Sequence, residues 1–233
     1  MDNMSFKDID ENIRIIRHDL EEAKVRSGRE NEDIRIMAVT KTVPFERVNY
    51  AAGCGLTLLG ENRVQEFLQK KDNYVKNAEI HFIGHLQSNK IKYIIDSVKM
   101  IQSVDSTALA EEISRRAQRS GRVMDILCEV NIGGEESKSG FSPEEVPEAL
   151  CTVSCMPGVR VRGLMTIPPH GGSPVWLEKM QRLYEDMKSR NIPGTQMDTL
   201  SMGMSADYSE AVMYGSNLVR IGSALFGARN YTV

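Results

Sequence analysis

The sequence has little of what marks a secreted, membrane-spanning or metal-binding protein. Its 233 residues include only four cysteines, with no C-x-x-C pair and no histidine at zinc-finger spacing. We therefore predict free thiols in a reducing cytosol rather than disulfides or a metal site. No apolar run approaches the ~18 residues that a membrane span needs. The first eleven residues are polar and acidic, unlike a signal peptide, so we expect a soluble, cytoplasmic protein.

An excess of charge of one sign is also missing. The 29 basic and 32 acidic residues give a formal net charge of −3. This balance gives no electrostatic reason to expect nucleic acid or an anionic membrane as a partner. No Pro/Gly-rich linker or low-complexity segment divides the chain. We therefore predict one domain over residues 1–233, a length that suits a single α/β barrel.

Short apolar runs alternate with amphipathic helical patterns along the chain. A helix comes first, because Ile9, Ile13, Ile16 and Leu20 recur at spacings of four and three. Strands that alternate with helices pair in parallel, since each return to the sheet needs a crossover. Eight runs are predicted as strands, at 34–39, 56–59, 80–83, 100–104, 124–130, 159–165, 199–202 and 218–221.

Eight strand–helix units predict a closed (β/α)8 barrel with an extra N-terminal helix. A doubly wound open sheet is the alternative that the same alternation allows. In a barrel, the active site lies in the loops that follow the carboxyl ends of the strands. Polar and glycine-rich residues follow six of the predicted strands, at 40–42, 60–63, 84–90, 131–140, 203–205 and 222–223. We therefore expect the functional residues to gather at this rim.

Lys41 is the first candidate at the rim, because it directly follows the first predicted strand. A lysine in such a position can simply extend its ammonium group into water. The alternative is an amine whose pKa is lowered by burial and a nearby cation, so that it attacks an aldehyde.

The loops after the last two strands predict a phosphate site. Barrels often build such a site there, together with the first turn of a short extra helix. Ser205 begins a helical stretch and is read either as its N-cap or as a phosphate ligand. Gly222 and Ser223 precede another short helix, where backbone N–H groups are exposed to an anion. Arg220 lies two residues before Gly222, so strand alternation directs both to the same side.

The whole chain resembles the single-domain PLP (pyridoxal 5'-phosphate) homeostasis proteins, also called PLP-binding proteins. These are fold-type III PLP proteins related to the N-terminal barrel of alanine racemase. The motifs that carry the resemblance cover most of the chain in order: AVTKT at 38–42, GENRVQE at 60–66, HFIGHLQSNK at 81–90, RGLMTI at 162–167, LSMGMS at 200–205 and VRIGSALFG at 219–227.

The resemblance implies a cofactor site. Lys41 would hold PLP as a Schiff base, Arg220 would face the pyridine nitrogen, and Asn62 would lie beside the ring. The phosphate would be held by Ser205, Gly222 and Ser223. The family is thought to carry and buffer PLP and to supply it to apo-enzymes, without a robust catalytic reaction. We expect a monomer or weak dimer of this kind.

Two other functions remain open at this point. One is a weak racemase or decarboxylase that acts through Lys41 alone. We expect it to lack two-base chemistry, because the alanine racemases take a catalytic tyrosine from a second domain and only residues 229–233 follow the eighth unit here. The other is a cofactor-free sugar-phosphate enzyme that shares only the phosphate corner.

Lys138 lies in the loop after the fifth strand, among glycines. It is read either as a solvated lysine paired with Glu135 or Glu136, or as an amine that accepts PLP transiently when the cofactor leaves Lys41.

Overall fold

Strands and helices alternate through the chain, as the periodicity predicts. The structure, a computed structural model, describes residues 5–169 and 174–228. Its strands are β1 Arg35–Val39, β2 Leu58–Glu61, β3 Glu79–Phe82, β4 Met100–Val104, β5 Met124–Val130, β6 Val159–Thr166, β7 Thr195–Ser201 and β8 Leu218–Ile221. Its α-helices are α1 Phe6–Ser27, α2 Phe45–Gly53, α3 Val64–Lys70, α4 Thr107–Arg119, α5 Val146–Ser154, α6 Pro174–Ser189, α7 Tyr208–Met213 and α8 Ser223–Phe226. Two 3-10 segments lie at Lys71–Asn73 and Ser88–Tyr93.

The strands form one closed parallel barrel in chain order. Closure is made by β8, which pairs directly with β1 so that Arg35 lies opposite Leu218 and Ala38 opposite Ile221. An open sheet would leave these two strands apart. The predicted (β/α)8 barrel with an additional N-terminal helix is therefore confirmed, and the doubly wound alternative is excluded.

Two strands begin more than one residue away from their predicted start. β2 is shifted by two residues, so that Gly60 and Glu61 pair with His81 and Phe82 instead of lying in the rim loop. The buried Glu61 is tolerated there because its carboxyl accepts hydrogen bonds from the hydroxyls of Thr40, at 2.7 Å, and Tyr74. β7 begins at Thr195 rather than at 199. The prediction missed its first residues because most of them are polar and face solvent, although the strand already pairs with β6 there.

An apolar layer fills the space between the strands and the surrounding helices. The inward face of α1 contributes Ile9, Ile13, Ile16 and Leu20, and the helix packs against α2, α7 and α8. It ends at Gly28, whose left-handed backbone (φ 70°) allows the C-cap. Among the helices of the described residues, none combines the length and the apolar sequence needed to cross a bilayer.

The space inside the barrel is filled differently. One apolar cluster joins Met37, Val39, Leu58, Ile83 and Leu218, and a second joins Met100, Leu127 and Met165. The interior also holds buried polar side chains from β3, β4, β7 and β8, namely His81, Gln102, Ser201 and Arg220. A barrel interior is usually packed with branched aliphatic residues, so these polar groups mark the interior as specialised.

Candidate functional site

The candidate site begins with a cavity at the rim, which we call the Lys41 cavity. It has a volume of about 160 Å³, and its lining includes Lys41, Thr42, Gly222 and Ser223. The closure of β8 onto β1 brings these residues together, because Lys41 follows β1 and Gly222 follows β8. The predicted lysine and the predicted phosphate corner therefore share one cavity.

The backbone beside Lys41 is strained and held in place. Thr42 has a φ of 63°, a left-handed conformation that a β-branched residue rarely adopts. Its N–H donates to Glu66 Oε1 at 2.5 Å, and Lys70 Nζ donates to the same carboxylate oxygen and to the carbonyl oxygen of Thr40 at 3.0 Å. This network fixes the turn from which the Lys41 side chain starts.

Ser205 connects the loop after β7 to the loop after β8. Its Oγ accepts hydrogen bonds from the backbone N–H groups of Gly222, at 3.2 Å, and Ala224, at 3.1 Å. The interpretation of Ser205 as a helix N-cap is wrong, because α7 begins only at Tyr208 and Asp207 holds the turn by accepting from Met204 N–H at 2.7 Å. Ser205 instead lies at the first turn of α8, with Gly222 and Ser223.

Arg220 is buried inside the barrel at the rim end of β8, with 4% of its surface exposed. Its Nη1 donates to Ser201 Oγ and its Nη2 to the carbonyl oxygen of Thr166, both at 2.7 Å. Both acceptors are neutral, so the charge is balanced only through space, by Glu129 and Asp207. Burial lowers the pKa of Arg220 to about 10, which leaves the guanidinium charged at neutral pH.

Asn62 lies in a neighbouring rim cavity, which we call the Asn62 cavity. This space of about 250 Å³ is also lined by His85, Glu129 and Lys138. The loop after β2 is pressed against the loop after β3, since a Cβ at Gly84 would lie 2.1 Å from the Asn62 carbonyl oxygen. The structure thus groups Lys41 with Gly222 and Ser223, and it places Asn62 with Lys138.

Lys138 is held by its own loop. Its Nζ pairs with the carboxylate of Glu135 and donates to the carbonyl oxygen of Pro168 at 3.2 Å. The pairing with Glu135 is the one that the simpler interpretation of Lys138 predicts. Its place in the lining of the Asn62 cavity keeps the amine at the rim.

Glu129 is a functional candidate that the sequence analysis missed. It is 8% exposed, lines the Asn62 cavity and acts on Arg220 through space. Burial, reinforced by the Asp105 carboxylate and opposed by Arg220, raises the pKa of Glu129 to about 7. The available signal was alternation, because Glu129 lies two residues after the inward-facing Leu127 on β5.

Comparisons with known proteins show the family to which the chain is similar. The model of the alanine racemase N-terminal domain family matches residues 11–230. The pyridoxal phosphate homeostasis protein of Aquifex aeolicus is 41% identical over 218 residues, which cover 91% of this chain and 94% of that protein.

Two solved structures extend the comparison. An unknown protein from Bifidobacterium adolescentis superposes with a TM-score of 0.91 at 32% identity, over 97% of both chains. PipY of Synechococcus elongatus, solved with PLP bound, superposes with a TM-score of 0.75 at 30% identity, over 94% of this chain and 100% of that one. With a family model spanning nearly the whole sequence and homeostasis proteins of matching length, the chain belongs to the pyridoxal phosphate homeostasis proteins of the alanine racemase N-terminal domain family.

Proposed function

We propose that this protein binds PLP in the Lys41 cavity and carries and buffers it. The observation that supports this most is that Lys41 lines the same cavity as Gly222 and Ser223. An amine and a phosphate-binding corner are the two groups that PLP requires side by side, because its aldehyde and its phosphate arm are carried on neighbouring ring carbons. When bound, PLP supplies an aldehyde that condenses with a lysine amine and a pyridine ring that withdraws electrons.

The phosphate fits the corner around Ser205. The Ser205 oxygen already accepts two backbone N–H groups, so its own hydrogen is left to donate. An anionic oxygen at this place would accept that hydrogen. Gly222 permits the close approach, because it carries no Cβ, and Ser223 adds a second hydroxyl.

Arg220 suits the pyridine nitrogen. Two of its five N–H donors are used by Ser201 and Thr166, and three remain to donate. A guanidinium that stays charged at neutral pH opposes a proton on a nitrogen that it faces. Under these conditions the ring withdraws electrons weakly, and this favours a carrier over a transaminase. Asn62 would approach the ring from its own cavity.

The remaining parts of the proposal concern the biological role. We propose a non-catalytic carrier that works in the cytoplasm as a monomer or weak dimer. Its recipients would be apo-enzymes that depend on PLP. The names of its relatives support the role in homeostasis.

The test is to trap the lysine chemically. Purified protein is incubated with PLP, reduced with borohydride and mapped by peptide mass spectrometry, and we expect the pyridoxyl label on Lys41. Lys41→Ala should abolish the label but retain some PLP, because the phosphate corner and Arg220 bind independently of the covalent bond. Lys92→Ala, which changes a lysine on the exposed 3-10 segment, is the matched control. A label on another lysine in the unmodified protein would overturn the assignment.

A weak racemase is the second candidate, and Glu129 is the observation that favours it. A buried carboxyl with a pKa of about 7 suits proton transfer at neutral pH. The discriminating measurement is exchange of an amino acid's α-proton with solvent deuterium in the PLP-loaded protein. Exchange that Glu129→Gln abolishes would support an enzyme, whereas no exchange leaves the carrier.

A further inference from the structure

A chain of hydrogen bonds crosses the barrel interior and ends on Arg220. It begins on β3 with Glu79 and His81, continues through Gln102 on β4, and reaches Ser201 on β7. Ser201 then accepts from Arg220 on β8. Gln102 and Ser201 lie on opposite walls, so the chain links strands that do not pair with each other.

At its β3 end, the hydrogen-bond chain terminates on the Glu79 carboxylate, which can only accept hydrogen bonds. His81 Nε2 lies 2.8 Å from Glu79 Oε1, and Arg35 pairs with the same carboxylate at 3.0 Å. The hydrogen bond from His81, together with Arg35, lowers the pKa of Glu79 to about 2. The carboxylate is therefore ionised and can only accept, so His81 carries its proton on Nε2.

This proton determines the direction of every later bond. Burial lowers the pKa of His81, so the ring is neutral and its Nδ1 accepts. Gln102 must then donate its amide N–H to Nδ1, at 2.9 Å, which places Oε1 toward Ser201. The Ser201 hydroxyl donates to that oxygen at 2.7 Å.

Arg220 fixes the opposite end, because a guanidinium only donates. Its Nη1–H meets the lone pairs of Ser201, whose own hydrogen is already directed at Gln102. A fixed donor at one end and a fixed acceptor at the other leave one consistent direction for all four bonds. If Gln102 could not accept, the Ser201 hydrogen could turn toward Arg220 and oppose it.

The barrel interior could be filled without this chain of hydrogen bonds. Neighbouring inward positions on the same strands hold Met100 and Leu218 in purely apolar clusters, and apolar side chains of similar volume usually stabilise an interior as well as a buried polar network does. A network that is only partly satisfied is costly. Its presence therefore points to a need for one orientation of Arg220.

We propose that Gln102 and Ser201 are positioning residues, which, anchored by His81, hold the Arg220 guanidinium in a single orientation at the rim. This orientation serves the PLP site, so the consequence for binding rests on the proposed function. The orientation itself is a property of the protein alone and can be measured without PLP.

The first experiment uses ¹⁵N NMR on the protein without PLP. We expect His81 to show the neutral tautomer with hydrogen on Nε2, and Arg220 to show separate, slowly rotating guanidinium signals. Gln102→Met and Ser201→Ala should average the Arg220 signals. Met100→Leu, an inward-facing change on the same strand outside the chain, should leave them separate.

The second experiment measures PLP affinity in the same variants. Ser201→Ala removes a hydrogen bond to the charged guanidinium, and Gln102→Met frees the Ser201 hydrogen to turn toward it. Both variants should therefore bind PLP roughly tenfold more weakly. Gln102→Glu should restore most of the affinity, because a carboxylate still accepts from Ser201, and it should convert His81 to the doubly protonated form.

The outcomes separate the two proposals. An Nδ1–H tautomer of His81 in the unmodified protein, or separate Arg220 signals in Ser201→Ala, would overturn the positioning role. If Gln102→Met does not fold, the tautomer and Ser201→Ala still decide. If the NMR results are as expected but the unmodified protein does not bind PLP, the positioning role stands and the proposed function fails.

Discussion

The space outside the barrel wall and the space inside it are filled by different kinds of side chain. Outside, the helices and strands enclose one continuous apolar cluster, with Ile9, Phe67, Phe82 and Ile113 fully buried. Inside, two small apolar clusters flank the polar chain from His81 to Arg220. The outer layer stabilises the fold by area removed from water, whereas the interior maintains the position of one cation.

The largest effect is expected in the outer layer. Phe82 has no exposed surface and belongs to the outer cluster. Phe82→Ala removes its packing and leaves a cavity, so the free energy of unfolding should fall by about 3–5 kcal/mol. Urea denaturation measures the change, with Tyr93→Ala as the control because Tyr93 is 44% exposed. A loss below about 1 kcal/mol would contradict the view that this layer holds the barrel together.

The interior should respond to pH, unlike the outer layer. Glu129 has a folded-state pKa of about 7 against 4.5 for the free side chain, so the folded protein binds its proton more tightly. The stability that this group contributes is complete below pH 4.5 and is lost as the pH rises through 7. Glu129→Gln removes the buried charge and should therefore stabilise the protein at pH 8, by at most roughly 3 kcal/mol.

The measurement is the difference in unfolding free energy between Glu129→Gln and the unmodified protein at pH 5 and pH 8. The stabilisation should be small at pH 5 and larger at pH 8. Glu148→Gln, a change at an exposed position of α5 outside the barrel, is the matched control. Equal differences at both pH values would show that Glu129 does not titrate differently in the folded state.

The sequence predicted the outer layer better than the interior, for a physical reason. Helical spacing correctly predicted that Ile9, Ile13 and Ile16 lie on the buried face of α1, because that periodicity can be seen within a single segment of sequence. The interior depends on side chains from opposite walls, such as Gln102 and Ser201, which are 99 residues apart. The shift of β2 was missed because Glu61 reads as a loop residue until its partners Thr40 and Tyr74 are known.

The candidate site also has a part that the sequence predicted and a part that it did not. The sequence order placed Lys41 and Gly222 at the ends of β1 and β8, and closure of the barrel brought them into one cavity. The separate position of Asn62 and the contribution of Glu129 depend on the packing of the rim segments that follow β2, β3, β5 and β6. No pattern within a single segment of the sequence predicts that packing.

The smallest expected effect on stability concerns Lys138, at the rim where the interior meets solvent. Its ion pair with Glu135 is partly exposed, so Lys138→Ala should change the free energy of unfolding by less than about 1 kcal/mol. We propose that its amine accepts PLP as the cofactor leaves Lys41, because a carrier must release what it binds covalently. Lys138→Ala should then slow delivery of PLP to an apo-enzyme severalfold in a single-turnover assay, while the borohydride label on Lys41 stays unchanged.

Lys138→Arg is the sharper control: arginine keeps the positive charge beside Glu135, but its guanidinium is always protonated and does not attack an aldehyde. If the amine matters, the arginine variant is as slow as the alanine variant. If the arginine variant delivers PLP at the unmodified rate, Lys138 only holds its loop through Glu135.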